Sequence, residues 1–312
     1  MSLVDGVLAR EPRAVARSIS LVEDGGDELA DLSAGLYEHT GAAATVGLTG
    51  APGVGKSTIA TGLVRTARDD GKRVAVLAID PTSPYTGGAL LGDRVRMQEH
   101  ATDPDVFIRS MATRGHLGGM ALAAPEAVRI LDAAGYDMVI VETVGVGQAE
   151  IDVAAATDTA LVVLAPGLGD AVQLAKAGIL EAADVFVVNK ADRDDAPEVV
   201  RGLQQMLHQG AARQWDPPIV TATAIEGDGI DRIWAAIERH REFGIDSGAL
   251  EAKRRRRAVQ EVSSLAAERF KLSIQASLAN DGDLAERLQE RTVDPYVAAS
   301  ELLRRASSDA DA

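Results

Sequence analysis

The sequence predicts an α/β protein, a mainly parallel sheet with helices on both faces and a helical arm at each end. Three observations predict it. Between 44 and about 240, short β-rich runs alternate with longer Ala-rich, helix-compatible stretches. Several of those runs are almost continuously apolar, as strands buried on both faces must be. Outside that region the strand-like runs stop.

Residues 1–43 read as a polar-rich helical arm. Val15, Ile19 and Val22 recur at helical spacing, as do Leu29, Leu32 and Leu36. Pro12 starts the second helix and Gly25-Gly26 breaks the chain after it. This arm is expected to pack and to carry no chemistry. The strand-like runs are 45–49, 73–79, 106–110, 138–142, 159–165, 185–189 and 219–222. They define a central domain over 44–245. The remainder, 246–312, reads as a C-terminal helical arm. Val259, Val262, Leu265 and Ala266 form an apolar stripe there, and Phe270 and Ile274 continue it. Between Glu251 and Lys271 stand seven basic and three acidic residues, centred on Lys253-Arg254-Arg255-Arg256-Arg257. Such a run is either a solvated helix face or a salt-bridging face toward an acidic partner.

The composition narrows the function. The 312 residues carry 32 Lys+Arg against 47 Asp+Glu, a net charge of −15, which argues against indiscriminate binding of nucleic acid or anionic membrane. With no cysteine there is no disulfide, no Cys-ligated metal and no thiol nucleophile. Residues 1–17 have no signal-peptide core, and no apolar stretch reaches membrane-spanning length without a break. A cytoplasmic protein is expected.

Gly50-Ala51-Pro52-Gly53-Val54-Gly55-Lys56-Ser57 matches G-x-x-x-x-G-K-[ST], after a strand-like run and before a helix-compatible stretch starting at Thr58. Glycines let the backbone wrap phosphate oxygens so that several N–H groups converge on them. The helix adds its positive end. Lys56 then reaches the β- and γ-phosphates, and the Ser57 hydroxyl is a Mg²⁺ ligand. The fold is therefore that of a P-loop NTPase.

Asn189-Lys190-Ala191-Asp192 closes the apolar run 185–189 and matches N-K-x-D, the guanine signature of P-loop GTPases. The Asp192 carboxylate accepts from N1–H and the 2-amino group of guanine, a donor pair adenine lacks. One strand later, Thr223-Ala224-Ile225 resembles the S-A element that contacts the guanine O6 through the backbone, with Thr in place of the commoner Ser.

The run 138–142 ends in Glu142, and Gly145 follows three residues on, where many GTPases read D-x-x-G. Glu142 suits Mg²⁺, directly or through water, and Gly145 offers its N–H to the γ-phosphate. Val146 stands where Ras-like proteins have the Gln that orients attacking water, and Gln148 does not obviously replace it, so weak intrinsic hydrolysis is expected. Asp80 ends the second strand-like run beside the P-loop and is read as a metal ligand, direct or water-mediated. Asp93, on a Gly-rich segment, is either a further ligand or a helix cap.

Taken together, G-A-P-G-V-G-K-S-T at 50–58, D-P-T-S-P at 80–84, T-G-G-A-L-L-G-D-R-V-R-M at 86–97, R-S-M-A-T-R-G-H-L-G-G at 109–119, V-E-T-V-G-V-G-Q-A-E at 141–150 and A-P-G-L-G-D-A-V-Q-L-A-K-A-G at 165–178 resemble the methylmalonyl-CoA mutase-associated GTPases, the MeaB/ArgK group of SIMIBI-class P-loop proteins. The resemblance implies a homodimeric GTPase that acts as chaperone for an adenosylcobalamin-dependent acyl-CoA mutase. GTP binding and hydrolysis in that family gate cobalamin loading and protection. The resemblance also assigns Asp80, Asp93 and Glu142 to Mg²⁺ and switching, 165–176 to a third switch segment, and the C-terminal helices to dimerisation. His116, in R-G-H-L-G-G, is family-typical without a derived role.

Other readings are weaker. A kinase, an old label of this family as a basic-amino-acid transport kinase, needs an acceptor site that no motif supplies. A nickel metallochaperone needs soft or imidazole ligands, but cysteine is absent and His39, His100, His116, His208 and His240 are scattered. Intact Lys56, Ser57, Glu142 and Asp192 argue against a vestigial nucleotide site.

Overall fold

A computed structural model describes residues 2–24, 28–81, 100, 102–113, 120–143, 149–167, 179–209, 213–280 and 282–310. Seven strands form one wholly parallel sheet: β1 (Ala44–Thr49), β2 (Val74–Pro81), β3 (Val106–Thr113), β4 (Met138–Thr143), β5 (Thr159–Leu164), β6 (Val185–Asn189) and β7 (Ile219–Ala222). Each coincides with a strand-like run of the sequence, shifted by at most a few residues at its ends. Their spatial order is β3-β2-β4-β1-β5-β6-β7. The chain thus moves outward from β1 to one side, returns through β4, and continues with β5 on the other side. The carboxyl end of β1 lies at this switch point, where open α/β sheets place their ligand crevice.

Alternation along each strand sends side chains to two faces. On one face Val46, Leu48, Ile140 and Val163 pack against Ile59 and Leu63 of α4 (Lys56–Asp69) and Ile233 and Ile237 of a later helix, Ile230–Asp246. On the other, Leu77, Ile79, Val139 and Val141 meet α5 (Met120–Ala133) through Ile130 and Leu131. The N-terminal helices α1 (Leu3–Leu8), α2 (Pro12–Asp24) and α3 (Glu28–Tyr37) belong to that second core. Val15, Ile19, Val22, Leu32 and Leu36 are all buried in it, the residues whose helical spacing marked the stripes. Beyond β5, a third cluster sets Val162, Leu164, Phe186 and Val188 against Leu203. Among the described residues the remaining helices are α6 (Ala149–Ala156), α7 (Ile179–Ala182), α8 (Ala196–Gln209), α9 (Ile230–Asp246), α10 (Ala249–Asn280), α11 (Gly282–Gln289) and α12 (Pro295–Ala310).

The chain divides into two compact units, Met1–Ala258 and Val259–Ala312. In the second, Leu284, Val293, Ala298 and Leu302 form a small core with Ile274 and Leu288, while Val259 and Val262 are 61% and 67% exposed. The first unit includes the start of α10, and here the solvated-face expectation for the basic run is corrected. Lys253 donates to Asp184 Oδ2 at 3.0 Å, and Arg254 and Arg257 both donate to Asp158. Three of the five consecutive cations therefore face carboxylates of the chain itself, the buried Asp158 just before β5 and the half-buried Asp184 just before β6. Among the described residues no helix is long and apolar enough to cross a membrane.

Candidate functional site

A cleft of about 570 Å³ opens at the carboxyl ends of β1, β4 and β6. Its floor is the P-loop. Gly50 leaves β1 with φ +139°, and a Cβ there would overlap the carbonyl oxygen of Val163, so the close strand crossing requires glycine. Gly55, φ +101°, caps α4, and a Cβ there would strike the Asn189 side-chain amide. Residues of the loop and of the first turn of α4 line one volume, and a helix N-terminus after a glycine-rich loop is a ready anion site.

Pro52, Gly53, Gly55, Lys56, Ser57 and Thr58 line the cleft, while Val54 is fully buried in the α4 core. Ala51 packs partly against that core and Gly50 sits at the strand end. Lys56 is 5% exposed; its Nζ donates to the carbonyls of Gly50 at 2.7 Å and Ala51 at 3.0 Å, curled onto its own loop. Ser57 Oγ donates to Glu142 Oε1 at 2.6 Å, and both side chains are buried. Register explains the meeting: Glu142 lies opposite Leu48 on the adjacent strand, on the α4 face of the sheet. A hydroxyl and a carboxylate are hard oxygen donors that suit Mg²⁺, which takes its other ligands from phosphate and water. Among the described residues no three His, Cys, Asp or Glu side chains gather as a metal cage.

The base-reading segments form the opposite wall. Asn189 is buried, its Nδ2 donating to Val54 O at 2.7 Å and its Oδ1 accepting from Ala224 N at 3.0 Å. This one amide ties the P-loop to the segment after β7. Lys190, with φ +56°, reaches Gly53 O at 2.7 Å. Asp192, Thr223, Ala224 and the 87% exposed Ile225 complete that wall. Lys56, Lys190 and Arg193 face the cleft with Glu142 and Asp192, a cationic balance within a chain of −15.

Two lining residues escaped the sequence reading. Thr143, beside Glu142, is fully buried, and Arg193, beside Asp192, donates to Pro166 O at 2.8 Å. Adjacency to a motif was their only signal. Asp80 lies near the end of β2, two strands from β1, with its backbone alone described. Asp93, Gly145, Val146, Gln148, His116 and the switch segment from 168 to 176 lie outside the described residues.

With this geometry established, comparison with known proteins decides the family. A model described as methylmalonyl-CoA mutase-associated GTPase MeaB matches residues 15–279. The chain belongs to the MeaB family. Relatives agree. A Pyrococcus abyssi protein provisionally named a GTPase is 46% identical over 97% of this chain and 95% of its own. Escherichia coli GTPase ArgK is 38% identical over 83% of this chain and 76% of its own. The mouse protein named methylmalonic aciduria type A homolog, mitochondrial, is 38% identical, covering 67% of this chain and 52% of its own. Among solved structures, one titled LAO/AO transport system kinase aligns with a TM-score of 0.70 and 26% identity, covering 98% of this chain and 96% of that one. This MeaB-family chain therefore has the P-loop GTPase fold, with GTP and GDP as the family's nucleotides.

Proposed function

We propose that this MeaB-family protein is a Mg²⁺-dependent, GTP-hydrolysing chaperone that gates loading and protection of adenosylcobalamin on an acyl-CoA mutase of the methylmalonyl-CoA type. The observation that carries the reading is the joining of the P-loop to the N-K-x-D loop through Asn189, which sets a phosphate cradle and a guanine reader around one cleft. The family description supports the mutase association, and so does the name of the mouse relative.

In this reading Lys56 leaves the carbonyls of its own loop for the β- and γ-phosphates. The loop amides and the α4 terminus hold the same oxygens. Asp192 accepts from the guanine edge, Lys190 lies along the base wall and Ala224 offers its backbone to the base. Ser57 and Glu142 are the residues that would hold Mg²⁺, with Asp80 and Asp93 as further candidates. Bound there, the ion offsets charge on the transferring phosphoryl group. Gly145 donates to the γ-phosphate. With Val146 where an orienting Gln stands in Ras-like proteins, the attacking water is not aligned, and alignment contributes several kcal/mol. Turnover is then slow alone and rises when the mutase docks. The C-terminal helical arm, 246–312, serves in dimerisation, a reading that its exposed Val259, Val262 and Leu272 support.

The test is steady-state phosphate release at saturating GTP, with and without candidate mutases, together with co-purification in GDP and in a non-hydrolysable GTP analogue. Stimulation and nucleotide-dependent capture are expected. Equal rates with every mutase defeat the chaperone assignment. The structural likeness to a protein titled a kinase favours a second reading. Radiolabel from GTP appearing on an acceptor rather than as free phosphate would select it.

A further inference from the structure

The Asp192 side chain is exposed on the cleft wall and makes no hydrogen bond or ion pair among the described residues. Its aim is therefore set by its neighbours in the chain. Those before it are tied down three times. Asn189 Nδ2 donates to Val54 O, Lys190 Nζ to Gly53 O, and the Ala191 amide to Ala222 O at 3.0 Å. Directly after it, a single side chain supplies the tie: Arg193 Nη1 donates to the carbonyl of Pro166 at 2.8 Å. We infer that Arg193 is a positioning residue for base recognition, which anchors the N-K-x-D loop to the turn after β5 and so aims Asp192 at the guanine edge. The inference rests on the reading of Asp192 as the acceptor for guanine.

Both ends of this tie are fixed. Pro166 is buried, two residues beyond the end of β5. Gly167 follows in a left-handed turn, φ +85°, and a Cβ there would lie 3.4 Å from Arg193 Nη1, so the guanidinium rests against that turn. At the other end, the Arg193 amide donates to Lys190 O at 3.1 Å, and its carbonyl accepts from the amide of Ala196 at 3.1 Å, where α8 begins. The loop thus closes on itself and sends one long arm across to the neighbouring strand. That strand, β5, lies between β1, which carries the P-loop, and β6, which carries the N-K-x-D loop. The Arg193 arm therefore fixes Asp192 relative to the same sheet that fixes the phosphate cradle.

The chemistry suits an anchor. A charged donor to a carbonyl is stronger than a neutral one, and the rigid guanidinium fork loses less freedom for the bond it makes. A carboxylate already held in its binding orientation gives up less entropy when the base arrives, and more of its two hydrogen bonds appears as affinity. The benefit falls on guanine in particular. Asp192 accepts from N1–H and from the 2-amino group, so a base without that amino group uses only part of what the anchor provides.

Equilibrium binding of GTP and of ITP, which lacks only the 2-amino group, tests the role in the full chain. Wild type is expected to prefer GTP. In Arg193→Ala that preference shrinks at least about threefold, with GTP losing more affinity than ITP. Arg193→Lys, which keeps a charged donor, restores most of it. The urea midpoint of both variants stays at the wild-type value, because Arg193 is exposed. Equal weakening of GTP and ITP would make Arg193 a contact to the phosphates or ribose that both share, and overturns the inference. So does an unchanged preference in Arg193→Ala, which leaves the reading of Asp192 standing. A wild type that binds GTP and ITP alike overturns both.

Discussion

The guanidinium of Arg254 holds both carboxylate oxygens of Asp158, Nε to Oδ1 at 3.1 Å and Nη2 to Oδ2 at 2.6 Å. Arg257 adds a bond to Oδ1 at 2.7 Å, and the Thr45 amide one to Oδ2 at 3.3 Å. Asp158 is 6% exposed, so these bonds are its solvation. Thr45 opens β1, the strand that leads into the P-loop. The root of α10 is therefore built into the nucleotide-binding unit, at the end of the sheet away from the cleft.

A chain ended after Ser247 loses Lys253, Arg254 and Arg257, which leaves the buried Asp158 without its cations and the half-buried Asp184 with His240 alone. Removing one partner of a buried pair costs about 3–5 kcal/mol. Urea unfolding should show that loss relative to a chain ended after Ala258, which keeps all three. Equal midpoints for the two truncations would show that Asp158 is solvated by other means.

Acid should erase the same contribution. Burial alone would raise the Asp158 carboxyl, but the hydrogen bonds and charges of Arg254 and Arg257 outweigh it and hold it below its usual value. For Asp184, burial is likewise outweighed by His240 and Lys253. A depressed carboxylate stabilises the fold above its unfolded pKa of about 3.9, and the benefit disappears as pH falls through the lower folded value. The stability gap between wild type and Arg254→Ala should be full near about pH 6 and shrink below about pH 4. A gap constant across that window would contradict the assignment.

Asp192→Asn exchanges an acceptor oxygen for a donor amide. GTP affinity should fall at least roughly a hundredfold while XTP binding improves, since each charged hydrogen bond contributes about 1.5–3 kcal/mol. Thermal stability should hardly change, because Asp192 is exposed. Competition binding with the two nucleotides decides it, and an unaltered GTP preference would place base reading elsewhere.

Asn189→Ala should behave differently, although it belongs to the same tetrapeptide. It strands Val54 O and Ala224 N, both inside the protein. Each unsatisfied buried group costs about 1–3 kcal/mol. Unfolding midpoint and nucleotide affinity should therefore drop together. Loss of affinity at unchanged stability would mean that Asn189 serves the base alone.

The strands, the P-loop, the N-K-x-D loop and the buried stripes of α2 and α3 were legible from the chain because each is written locally. A continuous apolar run, a glycine spacing or an i, i+3, i+4 stripe needs no distant partner to be recognised. The sequence by itself thus determined an α/β sheet with a phosphate loop at the end of its first strand and a carboxylate at the end of its fourth. What the tertiary structure alone decided are pairings between residues far apart in the chain. That Ser57 meets Glu142, that Asn189 closes onto Val54, and that Arg254 answers Asp158 rather than solvent all depend on strand order and register, which place residues 85, 135 and 96 positions apart within hydrogen-bonding distance. Charge and polarity mark a side chain as needing a partner; only the folded sheet, by excluding water from those positions, selects which partner it takes.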